Sequence, residues 1–171
     1  MAMDKITYIT PQFAVTSELA PEDFPAAAAL GFKSIISNLP DGESADGLTA
    51  RREAVLAWRH GLTFQHVPAP KLDIFSDAVV GAMEDALHRT PGPVLAHCKS
   101  GLRSAIAWAA ASARSQQVTC VLDTLAAAGF DLDFIRDDLD AQAHRKHWLG
   151  LAPAMDCGCP EPAERTPAAA A

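Results

Sequence analysis

The spacing of apolar and polar positions changes several times along the chain, and each change marks an element. Ile6 to Ile9 and Phe13 to Val15 read as two short strands around Pro11. Pro21 opens a helix where proline is tolerated, and Gly31 ends it after Leu30. Lys33 to Ser37, with Ile35 and Ile36, has the apolar run of a buried strand. Asn38 to Gly47 is polar and holds two Asp-Gly pairs, so it reads as a loop. A helix from about Thr49 to His60 stops at Gly61, and Thr63 to Val67 alternates like a strand until Pro68 and Pro70. Ser76 caps a helix that continues to about Arg89. Pro91-Gly92-Pro93 is a sharp break, and Val94-Leu95-Ala96 is a short apolar strand. An Ala-rich helix runs from Ser104 to about Arg114, and two more cover Val118 to Ala128 and Asp131 to Trp148.

Strands and helices alternate first, and helices follow. This order predicts an α/β fold with a mostly parallel sheet flanked by helices, in one domain over residues 1–151. After Leu151 the composition turns to Pro, Ala, Cys and Glu, which predicts a disordered tail over 152–171. A net charge of −7 argues against a nucleic-acid-binding surface but leaves room for a local basic pocket. No apolar run approaches the roughly 18 residues of a membrane span. Met1 to Thr10 does not read as a signal peptide, so a cytoplasmic protein without a membrane partner is expected. The four cysteines, Cys98, Cys120, Cys157 and Cys159, are not spaced as a disulfide framework.

The segment from Val94 to Ser104 carries the chemistry. A strand delivers the chain to Cys98 and a helix leaves near Ser104. A turn in that place presents backbone N–H groups that have no intrahelical partner, and with the helix dipole they favour an anion. Gly101 lets the backbone curl so that these groups converge. Arg103 adds a planar fork of donors for a tetrahedral oxyanion. The same field favours the thiolate of Cys98, since helix N-termini and nearby cations lower a thiol from about 8.5 to roughly 3.5–7.5. Cys98 and Arg103 are therefore the expected nucleophile and oxyanion clamp. His97, Lys99, Ser100, Gly101, Leu102 and Ser104 are the expected substrate-binding loop, with His97 orienting it and Ser104 near the thiolate. The chemistry requires neither a cofactor nor a metal.

Several other residues have two readings. Asp73 is a candidate general acid or an N-terminal helix residue, and Asp41 is a weaker acid candidate better read as part of a turn. Cys157-Gly158-Cys159, with His144 and His147 upstream, could bind a metal, but the spacing matches no common zinc site. A flexible Cys-x-Cys could alternatively take sulfur from Cys98. Cys120, Trp58 and Trp108 read as core. Arg51-Arg52 reads as a solvated face, and His66 as a packed or surface histidine. Leu132, Phe134, Ile135 and Leu139 read as a core stripe between exposed aspartates.

The loop resembles that of the cysteine-dependent phosphatase and rhodanese group. Ile9 to Gln12, Ala20 to Phe24, Leu30 to Ile36, Leu39 to Glu43, Gly61 to Pro68 and Pro93 to Ser104 together resemble a narrower family. This is the bacterial phosphatase-like domain often fused to, or encoded beside, beta-lactamase-like hydrolases of persulfide metabolism. The resemblance implies a dual-specificity-phosphatase-like α/β fold. It also implies phosphatase or sulfurtransferase activity, and a persulfide dioxygenase as a partner. One departure bears on the choice. Tyrosine phosphatases place five residues between Cys and Arg, whereas here there are four, Lys99 to Leu102, as in single-domain rhodaneses.

That spacing puts sulfur transfer first. Cys98 would take sulfane sulfur from thiosulfate or a low-molecular-weight persulfide and pass it to an acceptor thiol. Phosphomonoester hydrolysis through phospho-Cys98 is the second reading. It needs an acid such as Asp73, because a phenolate leaving group has a conjugate-acid pKa of about 10. A non-catalytic anion- or redox-sensing module is the third.

Overall fold

The computed structural model describes residues 5–149, apart from the side chains of 146–149. Five four-residue strands form one sheet: β1 (Thr7–Thr10), β2 (Phe13–Thr16), β3 (Ser34–Ser37), β4 (Thr63–His66) and β5 (Val94–His97). Their order is β1-β2-β5-β3-β4. Only β1 and β2 run antiparallel; β2, β5, β3 and β4 are parallel neighbours. Six helices complete the fold: α1 (Asp23–Ala29), α2 (Ala50–Arg59), α3 (Asp77–Arg89), α4 (Leu102–Ala113), α5 (Val118–Ala127) and α6 (Arg136–Leu149). The expected α/β architecture is therefore the observed one. The interpretation of 152–171, including Cys157 and Cys159, lies outside the described residues.

The period-two rule divides the core into two layers. Ala14, Ile35 and Leu95 join Phe24, Ala27, Leu56 and Ala57 of α1 and α2. Phe13, Val15, Ile36, Val94 and Ala96 join α3, α4, α5 and α6 through Val80, Met83, Trp108, Leu125 and Leu139. All four residues of β5 are buried, as expected of a central parallel strand covered on both faces. Helix α4 is buried along nearly its whole length. Its alanines combine high helix propensity with a thin profile that lets neighbouring helices approach. Buried Arg114 ties three helices together through Gln142 on α6 and Glu84 and Asp77 on α3.

Three details depart from the sequence reading. Helix α4 begins at Leu102, two residues before the expected Ser104, because Gly101 is its N-cap in the left-handed region. The last helix is preceded by a 3₁₀ turn, Asp133–Ile135. Two apolar residues assigned to the core face water: Trp58 is 79% exposed and Phe134 is 76% exposed. Their neighbours Leu56, Ala57, Leu132 and Ile135 already supply the buried contacts. Cys120 is half-buried. Trp108 is core as expected, and its ring stacks on Phe13 at 6.0 Å. Trp108→Ala should therefore cost about 3–5 kcal/mol in urea unfolding, whereas Trp58→Ser should change stability by no more than about 0.5 kcal/mol.

Candidate active site

Strand β5 ends at His97, and the next residue is Cys98, the expected nucleophile. Cys98 is a free thiol, 1% exposed. Its Sγ accepts a hydrogen bond from the Gly101 N–H at 3.2 Å, so the loop curls back on its own sulfur. Gly101 makes this possible. Its φ is +89°, and a Cβ there would lie 3.3 Å from the Thr16 carbonyl oxygen of β2. The backbone of a neighbouring strand thus leaves room only for glycine. The Arg103 guanidinium follows in the first turn of α4, its side chain 8% exposed.

Arg103 is held by a partner that the loop sequence does not contain. Its Nη1 and Nη2 donate to the two carboxylate oxygens of Glu43 at 3.0 and 2.6 Å. A guanidinium has five N–H donors, so this bidentate pair leaves three for an oxyanion. The hydrogen bond from Arg103, helped by the charges of Arg103, Lys71 and Lys99, holds the Glu43 carboxyl below its ordinary value despite partial burial. The Glu43 bond in turn raises Arg103. The next residue performs a parallel task. Ser44 Oγ and Glu18 Oε2 both accept from the Lys99 ammonium, at 2.6 and 2.9 Å, and Ser44 donates to Glu18 at 2.7 Å. Burial pushes Glu18 up, but the Ser44 and Lys99 hydrogen bonds outweigh it and lower its carboxyl.

Beneath the loop, His97 Nε2 lies 3.1 Å from Glu53 Oε1 on α2, both side chains buried. The two approach without hydrogen-bond alignment. The Asn38 N–H donates to the His97 carbonyl at 2.8 Å, which fixes the end of β5 against the start of the 38–47 loop. Ser104 is buried, and its hydroxyl bonds to no protein group, so the expected contact with the thiol is not made. Lys99, Ser100, Leu102 and Arg103 line a cavity of about 330 Å³ over Cys98, completed by Lys71, Ile74 and Ile106.

The acid candidates separate. Asp41 accepts from the Ala50 N–H at 2.7 Å and so caps α2, in line with a turn role. Asp73 is exposed and lies between Lys71 and Ile74 of the cavity wall without lining the cavity itself. His66 is packed, its Nε2 3.0 Å from the Leu39 carbonyl oxygen, and takes no part in the site. Among the described residues no group of His, Cys, Asp or Glu could hold a metal. Sequence reasoning missed Glu43, Ser44, Glu18 and Glu53. They lie 45 or more positions before Cys98, and only the fold brings them to the loop.

Comparison with known proteins places this geometry. Residues 5–115 match the family model described as "Beta-lactamase hydrolase-like protein, phosphatase-like domain". The chain belongs to this family. A beta-lactamase hydrolase-like protein of Xylella fastidiosa is 34% identical over 105 residues, which is 61% of this chain and 24% of that protein. One from Agrobacterium fabrum is 32% identical over 100 residues, 58% of this chain and 23% of that protein. The chain thus matches about a quarter of the length of these relatives. A candidate phosphatase of Neisseria meningitidis superposes with a TM-score of 0.67 at 27% identity, over 80% of this chain and 97% of its own. The core catalytic domain of a PP-IP phosphatase from S. cerevisiae shares the fold, with a TM-score of 0.53 at 19% identity over 84% of this chain and 93% of its own.

The domain is thus phosphatase-like, an enzyme fold built around a cysteine nucleophile. One expectation is corrected. Sulfur transfer, with its thiosulfate or persulfide donor and its dioxygenase partner, finds no support among these relatives, and the phosphatase reading is the better supported. The four-residue spacing that had favoured sulfur fixes the size of the N–H ring. It does not choose the leaving group. No described helix is long and apolar enough to cross a membrane.

Glu43→Gln replaces a charge-assisted fork with a weaker contact and lets Arg103 swing. Tungstate binding, measured by calorimetry, should weaken roughly tenfold, about 1.4 kcal/mol. Because the Glu43 carboxyl is lowered, the ion pair is complete above its ordinary value of 4.5 and is lost as pH falls through the lower folded value. The affinity gap between wild type and Glu43→Gln should close as pH falls through that lower value.

Proposed function

We propose that the protein hydrolyses phosphomonoesters through a phospho-Cys98 intermediate. The observation that carries this reading is the buried free thiol of Cys98 inside a loop whose own amide bonds its sulfur and whose Arg103 is pre-set by Glu43. A phosphate placed over Cys98 meets the loop N–H groups and the remaining donors of Arg103. Their partial charges are fixed before substrate arrives, so little reorganisation is needed as charge builds on the equatorial oxygens.

Cys98 Sγ attacks phosphorus while the P–O bond to the leaving alcohol breaks. The departing oxygen takes a proton from Asp73, which is carried on the exposed 70–73 segment beside the cavity. Such contacts commonly tighten only when substrate binds. Water gives a proton back to the Asp73 carboxylate as it attacks the phosphoryl group, and the S–P bond breaks, releasing phosphate and the Cys98 thiolate. The buried Ser104 hydroxyl is available to donate to that departing sulfur.

Cys98→Ser should abolish turnover of an aryl phosphate. Asp73→Asn should lower kcat by roughly 10²–10⁴. Acid-quenched wild-type enzyme should carry one added phosphoryl group on Cys98 by intact-protein mass spectrometry. A single sulfur added by thiosulfate and removed by cyanide, with no aryl phosphate turnover, would overturn the proposal.

A further inference from the structure

Lys99 divides two open spaces beside the loop. One is a groove of about 640 Å³ whose wall mixes Glu18, Ser44 and Asp46 with Leu19, Pro21 and Leu48. The other is the 330 Å³ cavity over Cys98. Cys98 and Arg103 line only the second. A leaving group in line with the Cys98 sulfur therefore enters the second space, whose wall is apolar at Ile74, Leu102 and Ile106.

Exposed leucines lie on that wall and next to it in the chain. Leu102 is 40% exposed, although it occupies the first turn of α4. Leu72 is 98% exposed. It stands at the tip of a turn closed by the Asp73 N–H donating to the Pro70 carbonyl at 3.0 Å, and a second turn returns from Asp73 to Ser76 at 2.8 Å. Turn tips ordinarily carry polar residues or glycine. A lone exposed leucine needs no explanation. This one lies in the chain between two residues of the cavity wall, Lys71 and Ile74. A leucine this exposed gains nothing from burial in the folded chain, so its apolar surface yields free energy only when something else covers it.

We infer that Leu72, Ile74, Leu102 and Ile106 form a leaving-group subsite. It selects phosphomonoesters with an aryl or similarly bulky apolar leaving group over those of hydrophilic alcohols. The inference rests on the phosphatase reading above. The occupant follows from the lining: its phosphate lies over Cys98, and the cavity that holds Cys98 and Arg103 is apolar at Ile74, Leu102 and Ile106.

The test separates the subsite from the chemistry. In wild type, Leu72→Ser and the double variant Leu72→Ser/Leu102→Ser, KM is measured for 1-naphthyl phosphate and for glycerol phosphate. Leu72→Ser should raise the naphthyl KM roughly three- to tenfold and the double variant further, so that the preference for the naphthyl ester falls. Leu72 has almost no packing to lose, and an unchanged melting temperature will show that the fold is intact. Calorimetry with naphthylmethylphosphonate and methylphosphonate repeats the comparison without turnover. An equal preference for the apolar ligand in wild type and both variants, by both methods, overturns the inference. Phosphonate discrimination that is lost in the variants, beside absent turnover of either ester, sustains the subsite and sinks the phosphatase reading instead.

Discussion

The site rests on one close approach. Gly101 passes the carbonyl of Thr16 so tightly that even a methyl group would press against it, and it does so with a positive φ. That conformation ends the loop, caps α4, and aims the Gly101 N–H back at the Cys98 sulfur. Strand β5 can be buried on both faces and still deliver a thiol to a cavity because the chain reverses within four residues. With a side chain at 101, either β2 must move or the loop must open, and both Cys98 and Arg103 are placed by that reversal.

The electrostatics follow the same economy. The chain is acidic overall, at −7, yet three cations meet over the thiol: Lys71, Lys99 and Arg103. Two of them are stabilised locally by carboxylates rather than by the surrounding field. Glu43 takes Arg103, Glu18 takes Lys99, and Ser44 joins the second pair. The Arg103–Glu43 pair lies partly out of water, where a fixed fork loses less to screening than an exposed pair such as Lys99–Glu18. The result is an anion site whose donors keep their direction when empty. Consecutive residues, Glu43 and Ser44, supply one partner to each cation, so the 38–47 loop holds both at once.

Much of this was legible along the chain. The strand–loop–helix around Cys98 is a local signal, as is the Ser76 cap, whose hydroxyl accepts from the Val79 N–H. Short-range rules suffice for both. The period of apolar residues located all five strands and all six helices within a few residues. The start of α4 was misplaced because a glycine cap in the left-handed region leaves no side-chain signature. Trp58 and Phe134 were misassigned because periodicity marks a face of a helix without saying what covers it. The carboxylates were illegible for a different reason. Glu43 sits among Asp-Gly turns that look like any solvated loop, and its link to Arg103 spans 60 positions. Local patterns carry no information about such pairs. The relatives favour the phosphatase reading that loop spacing had placed second.

The family match stops at residue 115, but the core does not. Helices α5 and α6 begin after that point, and Val121, Leu125 and Leu139 are fully buried within the larger apolar cluster. Gln142 accepts from Arg114 and donates to the Phe75 carbonyl just before α3. The stretch that the family model matches is therefore shorter than the stretch that builds the core. A fragment cut at the end of the family match would keep Cys98, Arg103 and every carboxylate that steadies the loop. It would also bare one side of α4 to water, the helix on whose first turn the anion loop is built.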